Sequence, residues 1–165
     1  MVNTKWEVIA MNLEKVLSQY GLEFPNPPAK GGVYTPAREF GSGFYYLSGC
    51  TPTFNGQKMF TGRLGDNISI EEAQQAARYC ALNLLANLKE AIGDLSKVKK
   101  IVKTLVFVAG TDNFFEQPTV ANGGTQFFED VFGVEIGRSA RSAIGVNALP
   151  GNVPVEIELL VEVEE

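Results

Sequence analysis

The residues most able to do chemistry sit in the last third of the chain. Arg138 and Arg141 lie in the run Gly137-Arg138-Ser139-Ala140-Arg141-Ser142-Ala143-Ile144-Gly145, among small residues at the predicted start of a strand. A guanidinium grips a carboxylate through two parallel hydrogen bonds, and small neighbours let a ligand come close. Positions i and i+3 of a strand face opposite sides, so the two arginines are not expected to line one pocket. Both also fit the role of ordinary surface salt-bridge partners. Glu156 follows fifteen residues after Arg141, across Leu149-Pro150-Gly151-Asn152. If the flanking strands pair as a hairpin, Arg141 and Glu156 approach the same end of a sheet. An arginine for an anion and a carboxylate to activate water make a minimal hydrolytic site. The competing reading of Glu156 is one more member of a solvated row of glutamates.

Other candidates are simpler. Tyr34 follows Lys30-Gly31-Gly32 and reads as the opening of a strand; it is either a half-buried strand aromatic or part of a pocket wall. Ser48-Gly49-Cys50 closes a strand, and backbone amides near such a glycine are able to bind an oxyanion. A plain strand terminus fits those residues equally well. The chain has no histidine and two cysteines, Cys50 and Cys80. Histidine-based triads, proton shuttles and imidazole-ligated zinc are thereby excluded. Two thiols thirty residues apart are neither a disulfide framework nor a metal cluster. Buried free thiols in a reducing compartment are expected, with Cys50 the more exposed; a reactive thiol there needs a neighbouring Arg or Lys. Gly62-Arg63-Leu64-Gly65 lacks the length and the lysine of a phosphate-binding loop.

The elements that must position these residues follow from periodicity. At 165 residues, the chain is one domain's worth. Residues 4–20 predict a helix: Thr4 and Glu7 form a capping-box pattern, Trp6, Ile9, Leu13, Val16, Leu17 and Tyr20 make an apolar stripe, and Gly21 stands at the C-cap. Residues 25–32 carry three prolines and two glycines and read as a linker. The expected organisation is a helix and linker over 1–30 and a main domain over 31–165. Residues 33–40 and 44–48 predict a hairpin turning at Gly41-Ser42-Gly43, residues 50–58 a loop, and residues 59–64 a short strand. Residues 70–92 predict the clearest helix, capped by Ser69 and Glu72 and ended by Gly93, with Cys80 on its apolar face. Residues 98–109 predict a strand. Residues 118–132 predict a weaker helix, in which Asn122-Gly123-Gly124 suggests an irregular first turn or ligand-facing backbone. Residues 140–148 and 153–163 predict two final strands, the last with Glu156, Glu158, Leu160, Glu162 and Glu164 on one side. The sum is an α+β domain, helices on one face of a single sheet. The aromatic strand 44–48 does not sit easily against water, so association through the open face is expected.

Fourteen basic and nineteen acidic residues leave a net charge of −5. An acidic chain lacks the footprint of a general nucleic-acid binder and the cationic surface that holds proteins on anionic membranes. No run of about eighteen apolar residues predicts a membrane span. No secretory pattern is present, so the cytoplasm is the expected compartment.

Ala140-Arg141-Ser142, then Leu149-Pro150, then Val155-Glu156-Ile157-Glu158 together resemble the C-terminal signature of the RidA/YjgF family of reactive-intermediate imine deaminases. Tyr34, Ser48-Gly49, the stretch Lys103-Thr104-Leu105-Val106-Phe107-Val108 and Asn122 also fall where that family places similar residues. The resemblance runs from about Tyr34 to the C-terminus. The N-terminal helix and the Ala-rich helix 70–92 resemble the longer branch of the family. Departures are Ser139 where many members have proline, Cys50 where many have glutamine, and Gly123-Gly124 after Asn122. The resemblance implies a chorismate-mutase-like, six-stranded mixed sheet backed by two helices, in homotrimers with clefts between subunits. It implies that Arg141 holds the carboxylate of a small metabolite, that Glu156 positions the attacking water, and that Tyr34, Ser48, Gly49, Cys50 and Asn122 line the cleft. The implied reaction is hydrolysis of 2-imino or enamine acids to 2-keto acids plus ammonia, with no metal or organic cofactor. Two other functions are kept open: a non-catalytic binder or sensor of small carboxylates using the same cleft, and a ribonuclease, against which the acidic charge and missing histidine argue.

Overall fold

The computed structural model describes residues 4–164, the side chain of Trp6 apart, so that residue's place in the predicted stripe lies outside the described residues. Helix α1 spans Lys5–Tyr20, with both arms of the Thr4/Glu7 capping box formed and Gly21 in the left-handed conformation at its end. Its buried Ile9 and Val16 join the core, and it packs on helix α3 (Gln117–Phe132). Asn12 Nδ2 donates to Val131 O at 3.2 Å, and the Tyr20 hydroxyl donates to Asp130 at 2.8 Å.

The main sheet holds five strands in the order β1 (Ala37–Glu39), β2 (Phe44–Cys50), β7 (Val155–Val163), β5 (Val98–Ala109), β6 (Ala140–Val146). All neighbours are antiparallel except β5 and β6, which run parallel and are joined through α3 and the short α4 (Val134–Gly137). The α+β chorismate-mutase-like class is the one expected; the count of six strands in one sheet is not. Residues 59–64 form no strand and contribute only isolated bridges at Leu64. Two further strands, β3 (Thr53–Phe54) and β4 (Gln57–Lys58), make a separate ribbon within the segment expected to be loop. Its turn is Asn55-Gly56, both at positive φ (47° and 84°), the geometry that a two-residue hairpin requires. The first strand also starts late: residues 32–34 are bends, because the glycine-rich approach delays pairing until Ala37.

The last two strands do not pair as a hairpin, so the condition under which Arg141 and Glu156 would approach one sheet end is not met. β7 alternates buried and half-buried over all nine residues, and such a strand gains most at the centre of a sheet. It therefore sits between β2 and β5, and β6 is left at the edge beyond β5. Helix α2 (Ile70–Ile92) crosses the covered face, with Ala73, Ala77, Cys80, Ala81, Leu84, Leu85 and Leu88 buried against the sheet and α3. Gly123 and Gly124 sit inside regular helix, not an irregular turn. A Cβ on Gly123 would lie 2.3 Å from Gln74 O, and one on Gly124 2.7 Å from Ile157 Cδ1, so the pair exists to let α3 approach α2 and the sheet. Opposite, the open face carries a row of polar contacts: Tyr46 to Glu158, Lys99 to Glu162, and Lys103 to Ser142. Tyr46 and Ile144 stay exposed beside them.

Candidate functional site

Arg141 stands on edge strand β6, opposite the buried Thr104 of β5. Its Nη1 donates to Asn122 Oδ1 at 2.7 Å and to Thr125 Oγ1 at 3.3 Å. Asn122 and Thr125 are three apart on α3 and so share one helix face. Neutral oxygens thus orient the guanidinium without matching its charge, and among the described residues Arg141 forms no salt bridge. It lines a 620 Å³ cavity with Gln74, Arg78, Asn122, Glu129 and Arg138. Arg138 and Arg141 do share this pocket, contrary to the strand-alternation expectation. Arg138 lies at the end of α4, before β6 begins at Ala140, so the rule of opposite faces never applies to it.

Glu156, on β7, belongs to a different cavity, of 590 Å³, lined also by Tyr34, Ser48, Gly49, Cys50, Asn87 and Pro150. Val155 and Ile157 on either side of it are fully buried, so Glu156 points to the sheet's open face. The β2–β7 register shifts between Leu47 and Cys50, and this irregularity brings Gly49 against Glu156. A Cβ at Gly49 would lie 2.0 Å from Glu156 Oε1. Burial first, and then the neighbouring Glu158 charge, push the Glu156 carboxyl above the ordinary glutamate range. A carboxylate so raised is a stronger proton acceptor than a solvated one. Its environment is therefore unlike that of Glu158, which is tied to Tyr46.

The remaining predicted residues fall around Glu156. The Ser48 hydroxyl donates to Thr35 O at 2.7 Å, which joins the strand to the Tyr34 segment. The Tyr34 hydroxyl accepts from Gly31 N at 3.3 Å, and its ring is 46% exposed. Both free thiols are buried, as expected, with Cys50 the more exposed of the two. It is 5% exposed, and burial pushes the thiol up to about 12, the Asn87 amide only partly opposing. It forms an inert stretch of cavity wall. Asn87 was missed by sequence reasoning, since it lies on the buried side of α2 where a polar residue gave no separate signal. Its Oδ1 is buried with no hydrogen-bond partner. Arg78 was missed for a similar reason.

Within one chain Arg141 and Glu156 do not meet. Arg141 is in register with Thr104 and Glu156 with Phe107, and β5 lies between their strands. Three residues along and two strands across separate their Cα atoms by about 14 Å, at about 3.3 Å per residue and about 4.8 Å per strand. The side chains also leave opposite faces of the sheet. Among the described residues no group of three or more potential ligands could hold a metal ion, and no helix is long and apolar enough to cross a membrane.

An open-faced α+β sheet with helices on its other side is the chorismate-mutase-like architecture; the arginine stands on an edge strand and the half-buried carboxylate on the central one. Residues 14–163 match the family described as "YjgF/chorismate_mutase-like, putative endoribonuclease", and the chain belongs to that family. The protein TCP17 of Trypanosoma cruzi is 38% identical over 93% of both chains. A 2-iminobutanoate/2-iminopropanoate deaminase of Dermatophagoides farinae is 32% identical over 85% of this chain and 93% of that one. The crystal structure of an Agrobacterium tumefaciens protein of unknown function superposes with a TM-score of 0.86, at 35% identity over 97% of both chains.

Proposed function

We propose that the protein hydrolyses 2-imino acids and their enamine tautomers to 2-keto acids and ammonia, in clefts between the copies of a homotrimer. In each cleft Arg141 of one copy and Glu156 of another face the same substrate. The observation that carries this reading is the division of the site: one chain holds an unmatched guanidinium and a raised carboxylate about 14 Å apart on opposite sheet faces. Neither half is sufficient for the chemistry. An open face with exposed Tyr46 and Ile144 gives copies a surface on which to assemble. The similarity to an imine deaminase supports the same reaction.

Arg141 grips the substrate carboxylate and fixes the iminium carbon. The ionised Glu156 takes a proton from water as the water oxygen bonds to that carbon. Protonated Glu156 then gives the proton to the amino nitrogen. The C–N bond breaks, the carbonyl forms, and the hydroxyl proton leaves with ammonia as ammonium. The iminium carbon is already electrophilic, so positioning and proton transfer supply what the step needs. With a charge of −5 and no histidine, the chain is poorly suited to cutting RNA.

The test is release of 2-keto acid from freshly generated imino acids. Arg141→Ala and Glu156→Ala should each abolish it. Co-refolding the two inactive variants should restore about one quarter of the clefts, because random assembly places an intact Arg141 beside an intact Glu156 that often. Absent restoration overturns the shared cleft. No release from any imine by the assembled wild type overturns the activity and leaves a carboxylate-binding protein, which would keep its ligand affinity in Glu156→Ala.

A further inference from the structure

Arg141 is one of three guanidiniums at its cavity. Arg78 and Arg138 line the same space, against a single carboxylate among the described residues, Glu129. The three differ in how their charges are met. Arg138 is clamped to Glu129 by two hydrogen bonds of 2.8 Å. Arg141 rests on neutral acceptors. Arg78, from α2, lays its guanidinium over the Tyr20 ring at 4.4 Å, and its Nε is buried with no acceptor. Asp130, beside them, is taken by Tyr20 and Gln126 instead. Among the described residues Arg78 has no salt bridge. A buried donor without an acceptor is rare, because its desolvation goes uncompensated. Stacking on an aromatic face holds a guanidinium rigid while leaving its edge free to meet an anion.

The three groups are arranged in two levels along α3. Asn122 and Thr125 hold Arg141; Glu129 holds Arg138; and Tyr20, which carries Arg78, bonds Asp130. From Thr125 to Glu129 or Asp130 is about 6–8 Å at about 1.5 Å per residue. A short-chain dicarboxylate bridges such a span. We propose that this cavity selects small acids with two anionic groups: Arg141 holds the carboxylate next to the reacting carbon, and Arg78, with Arg138 at the rim, holds the distal one. This rests on the reading of Arg141 given above and narrows it to a substrate class, the 2-imino dicarboxylates.

Calorimetric titration of the full-length protein with 2-oxoglutarate and 2-oxopentanoate isolates the distal carboxylate, since the two acids share a chain length. The wild type should bind 2-oxoglutarate at least about tenfold tighter, as one charge-assisted hydrogen bond implies. Arg78→Gln should remove that preference and leave 2-oxopentanoate unchanged, and Arg78→Lys should keep part of it. Arg141→Gln should weaken both acids. Equal affinities in the wild type, or a preference that survives in Arg78→Gln, overturn the second subsite; the reading of Arg141 stands if both acids still depend on it. No binding of either acid, or binding indifferent to Arg141→Gln, overturns both. If Arg78→Gln fails to fold, the wild-type ratio and Arg78→Lys decide.

Discussion

Gly49→Ala offers a way to displace the Glu156 carboxylate without touching Glu156. Gly49 is not at positive φ, so its backbone accepts alanine. The new Cβ would lie 2.0 Å from Glu156 Oε1, 2.9 Å from Cδ and 3.1 Å from Cγ. Restoring van der Waals contact at about 3.4–3.5 Å requires the carboxylate to retreat by about 1.5 Å. The obstacle is the far end of a flexible side chain, so Glu156 turns away and the backbone holds. Alanine in a strand also loses less chain entropy than glycine, worth about 0.5–1 kcal/mol in favour of the fold. The net stability change should stay within about 1 kcal/mol, which is about 2–4 °C in Tm for a chain of this size. A misplacement of about 1 Å costs about a hundredfold in rate, so kcat/KM for keto-acid release should fall at least that far. Binding of a 2-oxo acid should survive, since the new Cβ meets Glu156 and leaves the Arg141 guanidinium that grips the carboxylate untouched. Thermal unfolding, imine turnover and product binding on one preparation decide the matter. Full activity in Gly49→Ala, or a fall in Tm beyond about 10 °C, refutes the argument.

Three further outcomes follow from the packing and the electrostatics. In Gly123→Ala the Cβ meets backbone, with Gln74 O at 2.3 Å and Gln74 Cα at 2.7 Å, so no side chain can yield. Overpacking outweighs the helix-propensity gain of about 1 kcal/mol, and the urea midpoint should fall by the equivalent of about 2 kcal/mol or more. Cys50, with its thiol near 12, should be about one part in ten thousand thiolate at pH 8, so alkylating reagents should label it only when the protein unfolds. Glu156 has a raised folded-state value, so the native state binds its proton more tightly than the unfolded chain does. Its contribution to stability is therefore greatest at acid pH and declines as pH rises from the ordinary glutamate value through the raised one. Glu156→Gln should abolish turnover and flatten that part of the stability–pH curve; an unchanged curve by denaturant titration would show the carboxyl to be fully solvated.

Local signals settled the helices. Thr4/Glu7 and Ser69/Glu72 give capping boxes whose hydrogen bonds span three residues, and α1 and α2 begin and end where those patterns place them. The alternation of β7 is likewise local and is seen residue for residue. Arg141 and Glu156 stood out because their chemistry depends on residue type, and Asn122 turned out to hold Arg141 by a hydrogen bond that no spacing rule implies. Arg78 and Asn87 gave no signal, because a polar residue on a helix announces nothing until its neighbours are known.

Strand pairing and cavity membership were decided in three dimensions. Periodicity says which face of β7 is apolar, but the choice of partners depends on competition among all strands for the central positions. That competition put β5 between Arg141 and Glu156, so their strands do not pair. Strand alternation separated Arg138 from Arg141 on paper, whereas the end of α4 turned both into one cavity. Gly123-Gly124 suggested a loosened helix, yet the same residues permit its close contact with α2 and the sheet. The physical reason is common to all three: hydrogen bonds within a turn depend on a few adjacent residues, whereas register, packing distance and desolvation depend on what distant segments bring alongside.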